Sequence, residues 1–251
     1  MTNNHIVIGR NAVREALSAD VTVEKVLLQE SGGKELHSLF NAAREASITV
    51  EWVPKKVLDR KAQGGVHQGA IAITTPFEYS TVEDILNIAK DRGEDPFVIV
   101  LDGIEDPHNL GAIMRSAECA GVHGIIIPKR GGCLVNETVW KTSAGATSYM
   151  ACAKVTNVAR TVEFLQEAGL WVGACTMGPS VHYKTNLTGP LAIVIGNEGK
   201  GISRLVESKC DFTVSIPMKG QINSLNASNA AAIVMYEALR QRETQSPNKS
   251  K

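Results

Sequence analysis

The chain has 251 residues, 43% of them hydrophobic and 21% charged, with 26 basic side chains against 26 acidic ones and a net charge of zero. That length and balance describe a globular protein with a core of its own, and no apolar run approaches the ~20 residues that cross a bilayer. Five cysteines (Cys119, Cys133, Cys152, Cys175, Cys210) without CxxC spacing indicate neither a disulfide framework nor a zinc site.

The opening segment, Met1–Gly9, lacks the basic and long apolar regions of a secretory signal, so a reducing, cytoplasmic setting is expected. Residues 1–75 read as a small mixed α/β domain of αβαβαβ order. His5–Arg10 leads into Asn11–Leu17, which has helical apolar spacing; Val23–Gln29 is a β-branched strand. Lys34–Ala46 is an amphipathic helix with Leu36, Leu39, Phe40 and Ala43 on one face. Ile48–Val53 is a second strand, Pro54–Arg60 a short helix, Gly64–Gly69 a turn-rich stretch and Ala70–Thr74 a third strand.

Residues 76–95 hold 2 basic and 6 acidic side chains, begin with a proline and enclose one predicted helix, Val82–Lys90. They read as an acidic linker. The segments on either side, 1–75 and 96–243, each carry a balance of +1, and the tail 244–251 adds +2. Charge therefore neither requires nor excludes RNA as a partner.

From residue 96 strands and helices alternate. The predicted strands are Phe97–Leu101, Gly124–Ile127, Leu170–Ala174, Leu191–Ile195 and Asp211–Ile216. The predicted helices are Pro107–Ala120, Thr138–Ser143, Val158–Ala168, Ser203–Ser208 and Asn226–Arg242. Nearly continuous apolar strands predict a parallel sheet covered on both faces. The polar tail 244–251 predicts disorder.

Three segments bear on chemistry. In Leu101–Gly121, Asp106 suits a helix N-cap, Pro107 the first helical position and Gly121 the stop. Asn109 and Arg115 lie off the apolar stripe of that helix, about 120° apart around it. They can serve one substrate only if Asn109 sits in the first turn or the entering loop; otherwise they are two solvated polar residues. In Ile193–Ile202, a strand ends in Gly196, Gly199 and Gly201, which permits close backbone approach to a ligand, with Glu198 between them. The spacing is neither GxGxxG nor a P-loop, and a glycine-rich turn with a surface Glu is the plainer alternative. In Val214–Leu239, a strand stops at Pro217 and a polar loop with Asn223, Ser224 and Asn226 enters an alanine-rich helix; that is more capping chemistry than one helix needs.

Together, in this order and spacing, the three segments resemble the SpoU (TrmH-type) branch of the SPOUT methyltransferases: Asn-x5-Arg after a strand, then Gly-x-Glu-Gly-x-Gly, then Ile-Pro-Met…Ser-Leu-Asn before the last helix. The match spans 97–242. The N-terminal unit, ending in Gly65-Val-His-Gln-Gly69, resembles the family's ribosomal-protein-like substrate-binding domain. The resemblance implies a mostly parallel α/β catalytic domain with a deep trefoil knot, S-adenosylmethionine as cofactor, a homodimer, and methyl transfer to a ribose 2′-hydroxyl. It implies Asn109 and Arg115 as ribose- and phosphate-side catalytic residues, with Glu198, Ser224 and Asn226 completing the polar site. Gly196, Ile216 and Leu225 correspond to positions whose backbone holds the adenosine. Asn197 stands where close relatives often have alanine, a change expected to be tolerated. Among branches, the Asp-Pro-His-Asn-Leu-Gly string and the long N-terminal domain look most like enzymes that methylate a guanosine of large-subunit rRNA. Transfer RNA is the nearest alternative.

Attack by a ribose oxygen on a sulfonium methyl consumes a positive charge, so alignment and proton removal are the main demands. The sequence has no metal-ligand spacing, so a metal-free reaction is expected. A non-catalytic RNA-binding or ribosome-assembly protein is the other class considered, and the presence of Asn109, Arg115, Glu198 and Ser224 favours an enzyme. A nicotinamide dehydrogenase would need GxGxxG after Phe97–Leu101, where the sequence has Asp-Gly-Ile-Glu-Asp. A hydrolase would show GxSxG or HExxH, and neither is present.

Overall fold

The computed structural model describes residues 5–18, 23–46, 48–74, 77–222 and 224–245. Asn223, one of the cap candidates, and residues 246–251 of the tail lie outside them. The chain divides into two units, one of residues 1–78 with 135–149, the other of residues 79–134 with 150–251.

The first unit opens with a strand, β1 (His5–Ile8), and continues α1 (Arg10–Ser18), β2 (Val23–Gln29), α2 (Lys34–Glu45), β3 (Thr49–Val53), α3 (Lys55–Ala62) and β4 (Ala70–Thr74). The sequence reading began this unit with the helix and did not assign the strand, because four residues are too few for alternation to register. The sheet order is β1-β4-β2-β3, with β4 antiparallel to β1 and β2, and β2 parallel to β3. Every residue of β4 is buried, as its central place demands. In the Gly64–Gly69 turn the buried His67 accepts the Gly69 N–H at Nδ1 (2.9 Å), and its Nε2 pairs with Asp59 at 2.9 Å. This histidine holds a turn together.

The second unit begins with α4 (Val82–Arg92), capped by a reciprocal Thr81–Asp84 box. Its buried face, Val82, Ile85 and Ala89, is core. Val82 and Ile85 pack with Val98, Val100 and Ile126 of the sheet. The stretch 76–95 is therefore not a linker through its length. Its acidity is the outer face of an amphipathic helix, and composition alone does not separate the two.

Next come β5 (Phe97–Asp102), α5 (Pro107–Cys119) and β6 (Gly124–Pro128). The chain then passes through 135–149, which groups with the first unit, where α6 (Glu137–Thr142) packs on β1. It returns as β7 (Ala151–Val155), α7 (Val158–Glu167), β8 (Trp171–Cys175), β9 (Leu191–Gly196), α8 (Arg204–Glu207), β10 (Phe212–Val214) and α9 (Ala227–Gln245). Strand β7 was absent from the sequence reading, since Ala-Cys-Ala-Lys-Val has only one β-branched residue. Helix α9 runs on through Gln245, three residues beyond the expected end.

The six-stranded sheet has the order β10-β8-β9-β5-β6-β7, and every pairing is parallel. Alternate residues of the strands face α4 and α7 on one side, through Val98, Val100, Val172 and Val194. On the other side α9 packs along α5 and β9, burying Ile113, Met114, Val234 and Met235. Burial on both faces explains the continuous apolar strands. All carboxyl ends of the strands lie along one edge of the sheet, which is where ligands bind in open parallel sheets. No helix among the described residues is long and apolar enough to cross a membrane.

Candidate active site

The site is built on the loops that leave β5, β9 and β10. Strand β9 ends at Gly196, where a Cβ would lie 2.3 Å from both the Gly201 carbonyl carbon and the Ile202 nitrogen. No side chain fits there, because the chain doubles back against its own strand end. The doubling is held by Asn197 N–H donating to Gly201 O (3.1 Å) and Gly201 N–H donating to Asn197 O (2.8 Å). The Asn197 side chain locks the same loop: Oδ1 accepts the N–H groups of Gly199 (2.8 Å) and Lys200 (3.2 Å), while Nδ2 donates to Gly103 O at 2.9 Å. Beside it Asp102 accepts the Ser203 N–H at 2.7 Å.

Glu198 is turned toward the start of α9. Its Oε1 accepts from Asn109 Nδ2 at 3.0 Å, from the Ala227 backbone N–H at 3.1 Å, and from Asn226 Nδ2. Asn226 also donates to Asn109 Oδ1 at 2.9 Å, closing a three-residue ring. The same Asn226 caps α9, its Oδ1 accepting from Ser228 N (2.9 Å) and Asn229 N (3.3 Å). Asn226 thus caps α9 with one end of its amide and joins the ring with the other. A carboxylate at a helix N-terminus is also favoured by the helix dipole.

Asn109 is the third residue of α5, in its first turn, as the requirement from spacing demanded. Asp106 caps that helix by accepting the His108 N–H at 2.9 Å, and Pro107 occupies the first position. Asn109 is 7% exposed, so its amide is directed into the ring rather than solvent. Arg115 lies six residues on, exposed, and its guanidinium makes no hydrogen bond or ion pair among the described residues. His108 is exposed and lies outside the ring.

Against this ring lies a cavity of about 410 Å³ lined by Gly196, Glu198, Ile216, Ser224 and Leu225 among others. All five are residues named from the sequence. Asn109, Asn226 and Arg115 do not line it. The sequence reading missed Thr176 and Met177, which follow β8, and Ile202, Met218 and Ala230 on the walls. The signal for Thr176 and Met177 was their place just past a strand's carboxyl end. Cys175 also lines the cavity; burial pushes its thiol up to about 11, so it stays protonated and a poor nucleophile at neutral pH.

A flat aromatic heterocycle linked to a charged chain fits this lining. Gly196 brings bare backbone to the lining, Ile202, Ile216 and Leu225 give apolar walls, and Glu198 with Lys200 gives polar rims. S-adenosylmethionine has that chemistry. Among the described residues no group of His, Cys, Asp and Glu has the arrangement of a metal centre.

Residues 96–236 match the SpoU rRNA Methylase family, and residues 6–80 match RNA 2′-O ribose methyltransferase substrate binding. The chain is 44% identical over 246 residues to the putative TrmH family tRNA/rRNA methyltransferase YacO of Bacillus subtilis, covering 96% of this chain and 98% of that one. The SpoU methyltransferase AviRb of Streptomyces viridochromogenes, solved with AdoMet, superposes with a TM-score of 0.79 at 25% identity, over 96% of this chain and 91% of its own. A solved RNA 2′-O ribose methyltransferase superposes with a TM-score of 0.77 at 27% identity, covering 96% and 89%. The motifs read from the sequence, the parallel sheet and the glycine-lined cavity converge with these likenesses: the chain belongs to the SpoU family, as an S-adenosylmethionine-dependent RNA 2′-O-ribose methyltransferase of the SpoU/TrmH type.

Proposed function

We propose that the protein methylates the 2′-hydroxyl of a guanosine in large-subunit rRNA, acting in the cytoplasm as a homodimer, with residues 1–75 gripping the RNA. The observation that carries the site assignment is the ring Asn109–Glu198–Asn226 beside the glycine-lined cavity. In this reading the trefoil knot implied by the resemblance encloses that cavity. The large-subunit branch is favoured by the match of residues 6–80 to a substrate-binding domain and by the Asp-Pro-His-Asn-Leu-Gly string that starts α5.

Bound S-adenosylmethionine supplies a methyl group on a positively charged sulfur. The backbone at Gly196, Ile216 and Leu225, which line the cavity, would hold the adenosine, and these residues need contribute no side-chain chemistry. Glu198, fixed by three N–H donors to one oxygen, keeps its second oxygen available to orient a hydroxyl or a positive group. Asn109, with both ends of its amide engaged by Glu198 and Asn226, holds that carboxylate and the start of α9 in place beside the ribose. Ser224, exposed at the cavity mouth, offers a hydroxyl to the incoming nucleotide. Arg115 is unpaired among the described residues and so is free to take a phosphate of the target nucleotide in a two-pronged hydrogen bond. The reaction then rests on alignment of the ribose oxygen with the methyl group.

The test is to map ribose methylation in RNA from cells lacking the protein. Loss of one 2′-O-methylguanosine in large-subunit rRNA, restored by wild type and not by Asn109→Ala, is the expected result. Loss at a transfer RNA position instead assigns the tRNA substrate. Intact methylation of both RNAs overturns the reading.

A further inference from the structure

A second cavity of about 350 Å³ opens on the same carboxyl edge of the six-stranded sheet, at the far end from the cofactor cavity, and its lining includes Lys129, Lys154 and Arg160. Lys129 directly follows the last residue of β6, and its backbone N–H donates to Val155 O at 2.7 Å, drawing the ends of β6 and β7 together. Lys154 stands on β7, its ammonium 4.2 Å from the centre of the Tyr79 ring. Arg160 is in the first turn of α7, whose start is capped by Asn157 accepting the Arg160 N–H at 3.0 Å.

None of these three cations makes an ion pair among the described residues. One acid, the exposed Glu83 of α4, lines the same cavity; the next acid, Asp84, is engaged by the Thr81 cap. In a chain of zero net charge, three cations facing one carboxylate around a single cavity leave a local excess of positive charge. The N-terminus of α7 adds its partial positive charge to that excess.

The sheet order gives the cluster its place. Cofactor-cavity loops leave β8, β9 and β10, Asn109 follows β5, and the cations follow or flank the ends of β6 and β7. With strands ~4.8 Å apart, β6 lies roughly 10 Å from β9 along the edge and β7 about 5 Å further. An RNA strand whose target ribose sits by Asn109 can lay its neighbouring backbone on that stretch.

We propose that this cavity is an RNA-phosphate site within the catalytic unit, in which Lys129, Lys154 and Arg160 hold the backbone flanking the methylated nucleotide. The proposal rests on RNA being the substrate, and it assigns part of RNA affinity to the second unit rather than to residues 1–75 alone.

The experiment measures binding of unmodified large-subunit rRNA transcript to the full chain across a range of salt, with S-adenosylmethionine affinity and melting temperature recorded alongside. Lys129→Ala/Arg160→Ala changes two exposed side chains. It is expected to weaken RNA binding about tenfold near 0.1 M salt and to lower the slope of log affinity against log salt by about one to two, cofactor affinity unchanged. Glu83→Gln is expected to tighten RNA binding. An unchanged salt slope in the double variant overturns the proposal. So does a result in which the variant loses only inorganic phosphate binding while its RNA slope stays at the wild-type value, which marks a free-anion site. If wild type itself binds no S-adenosylmethionine, the methyltransferase reading fails instead, and the two failures are separable.

Discussion

The side-chain amide of Asn197 donates to the carbonyl of Gly103 at 2.9 Å, joining the loop after β9 to the loop after β5 across 94 positions of the chain. Asn197 lies between Gly196, which lines the cavity, and Glu198 of the polar ring. Gly103 stands three residues before the cap of α5, the helix that carries Asn109. This side chain extends the β5–β9 pairing, which runs to Asp102 and Gly196, one step into the two loops. The asparagine expected to be a tolerated replacement for alanine is better described as a clasp. Asn197→Ala is expected to weaken S-adenosylmethionine binding by about 1–3 kcal/mol, the loss of two to three side-chain hydrogen bonds. Asn197→Asp keeps the acceptor for Gly199 and Lys200 but opposes the Gly103 carbonyl, so it should bind cofactor better than the alanine variant yet remain slow in turnover. Calorimetric titration with cofactor and steady-state kinetics separate the two; wild-type behaviour of both variants contradicts the clasp.

Asn226 serves α9 with one end of its amide and Glu198 with the other. Asn226→Ser retains a hydroxyl that can cap the helix but cannot reach the ring. It should melt within ~0.5 kcal/mol of wild type, since Ser and Asn cap about equally well, and lose most methyl transfer. Asn226→Ala should lose the activity and also about 1 kcal/mol of stability. Thermal melts and a methyl-incorporation assay decide; an active serine variant would mean that the ring is not needed.

Arg115 separates two roles that a guanidinium can play. A base must give up its proton, and a guanidinium, with its delocalised charge, does so poorly. We expect Arg115 to act as a phosphate clamp. Lysine retains the charge but not the planar fork. As a clamp residue, Arg115→Lys should be nearly as slow as Arg115→Ala, with an unaltered pH–rate profile and unchanged cofactor affinity. A fast lysine variant whose profile moves to lower pH would identify a base.

The thiols offer a test in pH. Burial raises Cys175 to about 11, so at pH 8 only about one thiol in a thousand is the reactive thiolate. Cys152 and Cys210, pushed up to about 12 by burial, are less reactive still. Exposed Cys119 should therefore be alkylated first by iodoacetamide at pH 8, with Cys175 untouched until the pH approaches its raised value. Peptide mapping by mass spectrometry reads the order. Early labelling of Cys175 would show the cavity to be wetter than described.

How much of this was legible in the sequence follows from how local each signal is. The cap of α5 by Asp106, with Pro107 behind it, was readable because capping depends on adjacent residues. Glu198 was picked out by the glycines around it, but its partners lie 89 and 28 residues away, and no spacing rule links them. The clasp made by Asn197 was invisible for the same reason. The strand β7 and the core role of α4 were lost to composition: small residues in one, and an acidic outer face over Val82 and Ile85 in the other. The grouping of 135–149 with the first unit has no local signature at all.

The ring of Asn109, Glu198 and Asn226 spans 117 residues of chain, and every sheet pairing beneath it is parallel. Such long-range closures come late and slowly in folding, because each must first meet the entropy of closing a large loop. No nascent fragment that stops before α9 can own the site. Cofactor binding then becomes a report on completed folding, and ligand binding to the finished state alone should raise its stability by about 2.7 kcal/mol at a hundredfold excess over the dissociation constant. A cell rich in methyl donor would thus hold this enzyme in its finished form, and one starved of it would expose the chain to proteolysis.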